Sequence, residues 1–152
     1  VVMGGVSYST FENGKWEGRV SESNSGGFIG IRSTPFTAPL DMSACQGFEF
    51  KIRGGKNKVF KAVVRDSTDF NGVCWTKAFG GEFRIGDECA VRIRFDELIP
   101  TIFARTVPNQ VLDTSNIEGF QVAYSKFLFD GDLNPKFELG DFSLDLFQVK
   151  AF

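Results

Sequence analysis

The side chains that could carry out chemistry are few in this sequence, and histidine is absent. Without an imidazole, Ser-His-Asp and Cys-His nucleophilic sites are excluded, together with His-based zinc sites and the commonest general base. Glycoside hydrolysis needs only a pair of carboxylates. The acidic residues available for such a pair occupy turn-like positions and are Asp66, Asp69, Glu82, Asp87 and Glu88. Acids in turns are usually only solvated groups, so we expect no catalytic residues and no enzyme.

Metal and cofactor binding are not expected either. The three cysteines, Cys45, Cys74 and Cys89, have no fourth thiol or imidazole with which to build a zinc site. Their odd number and the lack of a Cys-x-x-Cys pair favour reduced, mostly buried thiols, with a single Cys74–Cys89 bridge as the alternative. Asp130 and Asp132 could offer oxygen ligands to calcium, but no full loop pattern follows them. We interpret these two aspartates as part of a turn.

Six basic side chains are candidates for a binding surface. Three segments, 47–53, 59–65 and 89–95, alternate apolar and polar residues, and this alternation predicts strands. If the apolar residues face a core, the intervening cations project outward. Should the three strands be neighbours, their cations form one basic patch of Lys51, Arg53, Lys61, Arg65, Arg92 and Arg94. Such a patch would suit an acidic protein loop, a lipid headgroup or an RNA backbone. The alternative is an ordinary solvated face with cross-strand partners such as Glu49.

A second candidate surface is the stretch from Ser125 to Phe137, here called the 125–137 segment. Phe127 and Phe129 lie on either side of Leu128, next to a turn rich in Gly, Asp, Asn and Pro. Exposed aromatic rings on a long connection would anchor a large protein partner. The alternative is that both rings close the end of a sandwich.

The elements that must position these residues are strands. The chain has 18 Phe, 17 Gly and 5 Pro, a composition that favours pleated surfaces and many turns. Roughly eight to ten short strands predict an all-β antiparallel sandwich of jelly-roll type. The only helical candidate is a short turn at 95–99, stopped by Pro100. Gly54–Asn57 is predicted to be a hairpin loop, and the adjacent Leu146 and Phe147 indicate a bulge.

Length and charge set further bounds. The 152 residues fit a single domain, 1–152, that can bury a core. The net charge of −2 and the pI near 5.2 give no global reason to expect nucleic acid or an anionic membrane as partner. No apolar run approaches the roughly 18 residues of a membrane span, so we expect no transmembrane segment.

Nine short blocks of sequence occur in an order that is typical of one known family. The blocks are Val2–Ser7, Ser25–Phe28, Ile31–Ser33, Asp41–Ser43, Gly47–Gly54, Val91–Phe95, Phe103–Pro108, Ile117–Phe120 and Val149–Phe152. Together they resemble the complex I intermediate-associated protein family, which has a galactose-binding-like β-sandwich domain. The acidic stretch 86–89 departs from the resemblance, because the family often has a Trp-containing entry to the strand there. The resemblance implies the same jelly-roll sandwich that the alternation predicts.

The resemblance also implies a function. Members of the family act as non-catalytic binding modules that assist assembly of, or stay bound to, membrane electron-transport complexes. Mitochondrial members serve respiratory complex I, and photosynthetic members serve photosystem II. The 125–137 segment resembles the photosynthetic branch, which implies a photosystem partner and a thylakoid-associated protein of the chloroplast. Complex I and the mitochondrion are the alternative.

A carbohydrate-binding module is the competing prediction from another class, because this type of sandwich often carries sugars in its end loops. A sugar site needs a stacking aromatic ring flanked by planar polar side chains. Trp16 or Trp75 could supply the ring, and the flanking groups could be Arg65, Asn71 or Asn109. The sequence does not show that these residues converge.

Overall fold

The computed structural model describes residues 2–3, 5–55, 57–80 and 88–152. Within them the chain forms a seven-stranded and a five-stranded antiparallel sheet, and one cluster of buried apolar side chains draws on both sheets. This architecture confirms the predicted all-β sandwich of jelly-roll type. Some residues named in the sequence predictions lie outside the described residues. They are Gly4 of the first family block, Lys56 of the predicted hairpin loop, Gly86 of the acidic stretch, and the carboxylates Glu82 and Asp87.

Twelve strands are present in the described part of the chain. In chain order they are β1 Val2–Met3, β2 Tyr8–Glu12, β3 Lys15–Val20, β4 Phe28–Arg32, β5 Gly47–Gly54, β6 Val59–Arg65, β7 Cys74–Gly80, β8 Glu88–Arg94, β9 Ile99–Ile102, β10 Arg105–Thr106, β11 Gly119–Ser125 and β12 Gly140–Ala151. The seven-stranded sheet has the order β1-β4-β11-β6-β7-β9-β10, and the five-stranded sheet has the order β2-β3-β12-β5-β8. A short 3-10 helix, Phe95–Glu97, lies at the position of the predicted helical turn.

The core forms because alternation places one set of side chains from each strand between the sheets. Phe48, Phe50 and Ile52 of β5 are all buried, as are the apolar residues predicted to face inward on β6. Aromatic rings then join the two layers. Trp16 of β3 meets Phe142 of β12 edge to face at 4.8 Å between ring centroids. Across the sandwich, Trp16 lies 6.1 Å from Phe60 of β6.

The connection from β5 to β6 differs from the sequence prediction. The two strands lie in different sheets, so the chain does not form a hairpin after Gly54 but crosses from one layer to the other. Gly54 and Gly55 have φ values of 89° and 65°, a backbone conformation that favours glycine. A Cβ on Gly55 would stand 2.8 Å from the Phe60 ring, so the close approach also needs glycine. Alternation alone gives the facing of a strand but not the sheet to which it belongs.

The predicted bulge in β12 is present, one residue further along than the sequence suggested. The register to β5 shifts between Phe147 and Val149, and the extra residue Gln148 has a φ of 59°. Leu146 is paired with Ile52 on the core side, whereas Phe147 is paired with Lys51 on the outer side. Phe147 and Val149, which is paired with Phe50, therefore lie on opposite faces.

The cysteines are all free and partly buried. Cys74 lies on β7 of the seven-stranded sheet and Cys89 on β8 of the five-stranded sheet. Because the two strands belong to opposite layers, the alternative Cys74–Cys89 bridge is not formed.

Two buried polar side chains fix the 125–137 segment to the body of the protein. The fully buried Tyr124 hydroxyl accepts a hydrogen bond from the Glu138 N–H at 2.7 Å and donates to the Glu138 carbonyl oxygen at 3.2 Å. Asn134, only 5 % exposed, donates from Nδ2 to the carbonyl oxygens of Val59 and Ser125. These bonds attach both ends of the segment to β6 and β11.

The Tyr124 anchor is tested by removing one oxygen. We expect Tyr124→Phe to lower the free energy of unfolding by about 1–3 kcal/mol, because the buried Tyr124 hydroxyl and its part-buried bond from the Glu138 N–H are lost. Tyr8→Phe is the matched control, since Tyr8 is 59 % exposed and exposed substitutions usually stay within about 0.5 kcal/mol. Urea denaturation of both variants measures the difference. Equal stabilities would contradict the anchoring role.

Candidate functional site

The six predicted basic residues do not form one patch. Strands β5 and β8 are neighbours in the five-stranded sheet, but β6 belongs to the seven-stranded sheet on the other side of the core. The prediction of a continuous basic face is therefore wrong, because the chain crosses to the other layer between β5 and β6 and returns between β7 and β8. The five-stranded sheet carries Lys51, Arg53, Arg92 and Arg94, and the seven-stranded sheet carries Lys61 and Arg65.

On the five-stranded sheet every one of these cations has a carboxylate partner. The ion pairs are Lys51–Glu88 at 3.4 Å, Arg53–Glu88 at 3.4 Å, Arg92–Glu49 at 2.8 Å and Arg94–Asp96 at 2.8 Å. Glu49 also contacts Lys150 at 3.1 Å. Hydrogen bonds from Arg92 and Lys150 hold the pKa of the Glu49 carboxyl below its usual value. This face matches the alternative interpretation, an ordinary solvated sheet face with cross-strand partners.

The outer face of the seven-stranded sheet contains a cavity of about 370 Å³, which we call the trough. Its floor crosses β4, β11, β6, β7 and β9, where small residues such as Gly30 and Ala123 leave space. Loops at residues 70–72 and 103–104 and the 125–137 segment form the walls. The trough is lined by three cations, Arg32, Lys61 and Arg65, and by four phenylalanines, Phe28, Phe70, Phe103 and Phe129. Cys74 and Gln121 are also among its lining residues.

Lys61 lies under the wall formed by the 125–137 segment. It projects from the outer face of β6 as predicted, but it is only 9 % exposed. Its Nζ donates hydrogen bonds to the carbonyl oxygens of Phe127 at 3.0 Å and Leu128 at 3.2 Å. Burial disfavours the charged ammonium and lowers the pKa of Lys61 to about 8. Lys61 therefore belongs neither to an open basic patch nor to a solvated sheet face, because the segment folds over it.

Arg65 holds the wall at the opposite end of the trough. It is 5 % exposed, and its guanidinium donates to the carbonyl oxygens of Asp69 and Phe70 and to Sγ of Cys74 at 3.6 Å. A guanidinium has five N–H donors in a fixed fork, which suits it to tie a loop to a strand. Arg65 therefore shapes the trough by fixing the turn that carries Phe70.

Arg32 is the third cation of the trough, and it was not among the six basic residues predicted to form a binding surface. Its Nε donates to Oε1 of Gln121 at 3.1 Å, and its guanidinium carbon lies 5.6 Å from the centroid of the Phe70 ring. Burial, together with the nearby charge of Arg65, lowers the pKa of Arg32. The signal that could have found it is its alternation with the core residues Ile29 and Ile31 on β4.

The charge balance of the trough differs from that of the opposite face. Within the part of the chain that the structure describes, no carboxylate lies within 4.0 Å of the side-chain nitrogens of Arg32, Lys61 or Arg65, as the set of ion pairs shows. Partly desolvated cations without counter-ions create a positive potential in a low-dielectric recess. The arrangement can bind an anionic group.

The rim of the trough is aromatic. Phe28, Phe70 and Phe103 are 39 %, 74 % and 82 % exposed, and Phe129 also lines the recess. Of the two rings predicted as anchors, Phe129 thus reaches the trough, whereas Phe127 lies outside it, 43 % exposed and 5.9 Å from Nζ of Lys126. Exposed phenylalanines at turns or at the end of a strand carry no periodic signal, so Phe28, Phe70 and Phe103 were not predicted as site residues.

The acidic turn of the 125–137 segment has a structural role in this arrangement. The Asp130 carboxylate accepts hydrogen bonds from the Thr106 N–H and Oγ1, both at 2.7 Å, and the Asp130 N–H donates to the Ala104 carbonyl oxygen. The bonds from Thr106 lower the pKa of Asp130. Asp130 therefore ties the segment to the loop that carries Phe103. Among the described residues, no group of three His, Cys, Asp or Glu side chains could hold a metal ion.

The predicted sugar site is not formed as described. Trp16 and Trp75 are 0 % and 5 % exposed, so neither ring can stack on a sugar. Both are core residues because they point between the sheets. Arg65 and Asn71 do line the trough, but Asn109 is not among its lining residues.

The fold and the trough define a class, that of jelly-roll β-sandwich proteins with a ligand-sized recess on one sheet. Within that class, the family model described as Complex I intermediate-associated protein 30 (CIA30) matches residues 1–146, and the chain belongs to this family. No curated protein matches the sequence. In the described residues, no helix has the length and apolar character that would let it cross a membrane.

Two solved structures share the fold. A family 11 carbohydrate-binding module from Clostridium thermocellum, in complex with a beta-1,3-1,4-mixed-linked tetrasaccharide, is 15 % identical, with a TM-score of 0.64 over 99 % of this chain and 86 % of that chain. The family 11 module of a cellulosomal cellulase from the same organism is 17 % identical, with a TM-score of 0.55 over 100 % of this chain and 89 % of that one. At these identities the likeness shows the fold.

The buried ammonium of Lys61 predicts a pH dependence of stability. Its pKa is about 8 in the folded protein and 10.5 when unperturbed, so between these values the unfolded chain holds a proton that the folded protein has lost. The free energy of unfolding therefore rises with pH in this window. We expect the wild type to gain about 2 kcal/mol relative to Lys61→Gln between pH 7.5 and 9.5.

The measurement is urea denaturation of both proteins at the two pH values. Glutamine keeps an N–H donor for the carbonyl oxygens of Phe127 and Leu128 but does not titrate, so the comparison isolates the ammonium. Parallel pH profiles for the two proteins would show that Lys61 is not desolvated.

Proposed function

We propose that this chain is a non-catalytic binding module that assists assembly of respiratory complex I, and that it holds its partner in the trough. The family supports the choice of complex, because its description names complex I intermediates. The observation that carries the site is the contrast between the two outer faces. Cations on the five-stranded sheet are neutralised by carboxylates, whereas those in the trough have no carboxylate partner among the described residues.

The cost of the unpaired charges supports a binding role. The lowered pKa of Lys61 means that its ionised form is disfavoured by an amount on the order of 3 kcal/mol. A buried charge without a counter-ion is destabilising, and a bound anionic group would offset that cost. A binding role also agrees with the absence of histidine and with the non-catalytic character of the family and of the carbohydrate-binding modules that share the fold.

The proposed location follows from the proposed partner and is the mitochondrion. The competing proposal is a chloroplast protein on the thylakoid that serves a photosystem, and it is supported only by the resemblance of the 125–137 segment to photosynthetic members. We also propose that residues 1–152 fold as one domain, since a single hydrophobic cluster includes side chains of both sheets.

Carbohydrate binding is the second candidate function. Its support is the fold shared with a module that was solved with a tetrasaccharide and the exposed aromatic rim of the trough. A neutral sugar, however, would leave the charges of Arg32, Lys61 and Arg65 without counter-ions. The anionic partner is therefore preferred.

The proposal predicts that the rim of the trough is needed for association with the complex. We expect the double variant Phe70→Ser and Phe103→Ser to reduce co-purification with complex I from detergent-solubilised mitochondrial membranes at least tenfold, because exposed aromatic anchors typically contribute about 1 kcal/mol or more each. The matched control is Val111→Ser with Leu139→Ser, which removes two exposed apolar side chains outside the trough and its walls.

The other possible outcomes of the fractionation distinguish between the competing proposals. Equal recovery of the double variant and the control would exclude the trough as the partner site. Co-migration of the wild type with a photosystem from thylakoids would replace complex I by the photosynthetic partner. Free protein that is retained on a mixed-linkage glucan matrix would overturn the assembly role in favour of carbohydrate binding.

A further inference from the structure

We propose that the trough binds an extended, acidic segment of a partner polypeptide, with one carboxylate on Arg32 and a second on Lys61. This inference rests on the proposed function in taking the trough as the partner site, and it adds the chemistry of the ligand. Three features of the protein support this ligand: the hydrogen-bond donors that the fold leaves open, the spacing of those donors, and the charge of the rest of the protein.

Arg32 and Lys61 have open donors. An ammonium has three N–H groups, and Lys61 directs two of its hydrogen bonds to the carbonyl oxygens of Phe127 and Leu128. Arg32 uses Nε for Gln121, and the structure gives its two terminal nitrogens no hydrogen bond to any described residue. Those nitrogens form the fork that binds a carboxylate in a bidentate manner. Arg65, by contrast, is engaged by its own loop.

The spacing of the two cations matches an extended chain. Arg32 faces Gln121 across β4 and β11, Gln121 faces Val63 across β11 and β6, and Lys61 lies two residues from Val63 on β6. Two strand separations and two residue rises place the Cα atoms of Arg32 and Lys61 about 12 Å apart. In an extended peptide, side chains four residues apart lie on the same side at about 13 Å. Two acidic residues at this interval can therefore reach both cations.

The aromatic rim sets a second requirement on the ligand. Phe28 and Phe103 are exposed beside the charged floor, so apolar side chains of the peptide can bury area against them at the edges of the trough. Gln121 and Ser125 on β11, with Asn71 of the wall, offer polar groups to the peptide backbone. The expected ligand is acidic at two positions and apolar near them.

Charge also favours an acidic peptide over a nucleic acid, an anionic membrane or a neutral glycan as the ligand of the trough. A nucleic acid or an anionic membrane needs a broad basic surface, whereas this protein has a net charge of −2 and neutralises the cations of its other face internally. A neutral glycan would not compensate the trough cations. An acidic group on a polypeptide can neutralise the trough cations, and this does not require the protein as a whole to be basic.

A peptide selection tests the proposal directly. The intact chain is immobilised and used to select from a displayed library of random ten-residue peptides. We expect the enriched sequences to carry at least two Asp or Glu residues four positions apart, with apolar residues between or beside them. A synthetic copy of the strongest sequence should bind at least tenfold more weakly to Arg32→Gln, which removes a bidentate charged contact. It should bind unchanged to the control Lys51→Gln with Arg53→Gln.

A second readout reports on Lys61 by itself. A bound carboxylate raises the pKa of a neighbouring ammonium, and Lys61, with a pKa of about 8, is mostly neutral at pH 8.5. Titration calorimetry at pH 8.5 in two buffers of different ionisation enthalpy should therefore show proton uptake on peptide binding. Lys61→Gln should abolish the uptake while remaining folded by circular dichroism, and this variant serves if Arg32→Gln proves unstable.

The proposal is overturned if the selected peptides are neutral or basic, if no peptide is enriched, or if binding is the same in Arg32→Gln and in the control. It is also overturned if a uridine 20-mer RNA or phosphatidylserine vesicles bind more tightly than the best peptide in an Arg32-dependent manner. Failure of the proposed function is distinguishable. In that case acidic peptides bind the trough, but the protein does not co-purify with complex I.

Discussion

The packing of Trp16 and Phe142 against Phe60 and Tyr124 holds the two sheets together, and the candidate site depends on it. Tyr124 lies 5.3 Å from Phe60 and 5.9 Å from Phe142 between ring centroids, with no exposure to solvent. Its ring belongs to the core, but its hydroxyl binds the Glu138 backbone. The same residue thus joins the layers and fixes the far end of the 125–137 segment. With the segment fixed, the carbonyl oxygens of Phe127 and Leu128 stand over Lys61, and its ammonium is taken out of water.

The two outer faces of the sandwich solve the same electrostatic problem differently. On the five-stranded sheet, β5 and β8 pair directly, so Glu49 meets Arg92 and Glu88 meets Arg53 as cross-strand neighbours. A pair between exposed groups such as Arg53 and Glu88 contributes little stability, typically about 1 kcal/mol or less, but both pairs neutralise the surface. On the seven-stranded sheet, the described strands around the trough offer glutamine, serine, threonine and small residues in the equivalent places. The positive potential of the trough follows from this choice of neighbours.

The sequence predicted the facing of the strands well and their neighbours poorly. The period of two along a strand is a local property, and it correctly placed Phe48, Phe50 and Ile52 in the core. Sheet membership is not local, because a glycine-rich connection such as Gly54–Gly55 can close a hairpin or cross the sandwich. The choice depends on packing between residues that are distant in sequence. Half of the site was therefore visible as separate residues, but the sequence could not show that Lys61, Arg65 and Phe129 meet while Lys51 and Arg92 lie on the opposite side.

The three cations of the trough differ in how far each has a structural role and how far each is open to a ligand. Arg65 has a structural role, since its bonds to the carbonyl oxygens of Asp69 and Phe70 shape the wall, and its removal would alter the recess as a whole. Lys61 combines both roles, because two carbonyl oxygens engage it and one donor remains. Arg32 has the smallest structural role, a single bond from Nε to Gln121. A purely structural explanation accounts for Arg65 and for part of Lys61, but it leaves the open fork of Arg32 beside Phe70 without a purpose. The case for a ligand is therefore strongest at Arg32, the trough cation that was not predicted as a binding residue from the sequence.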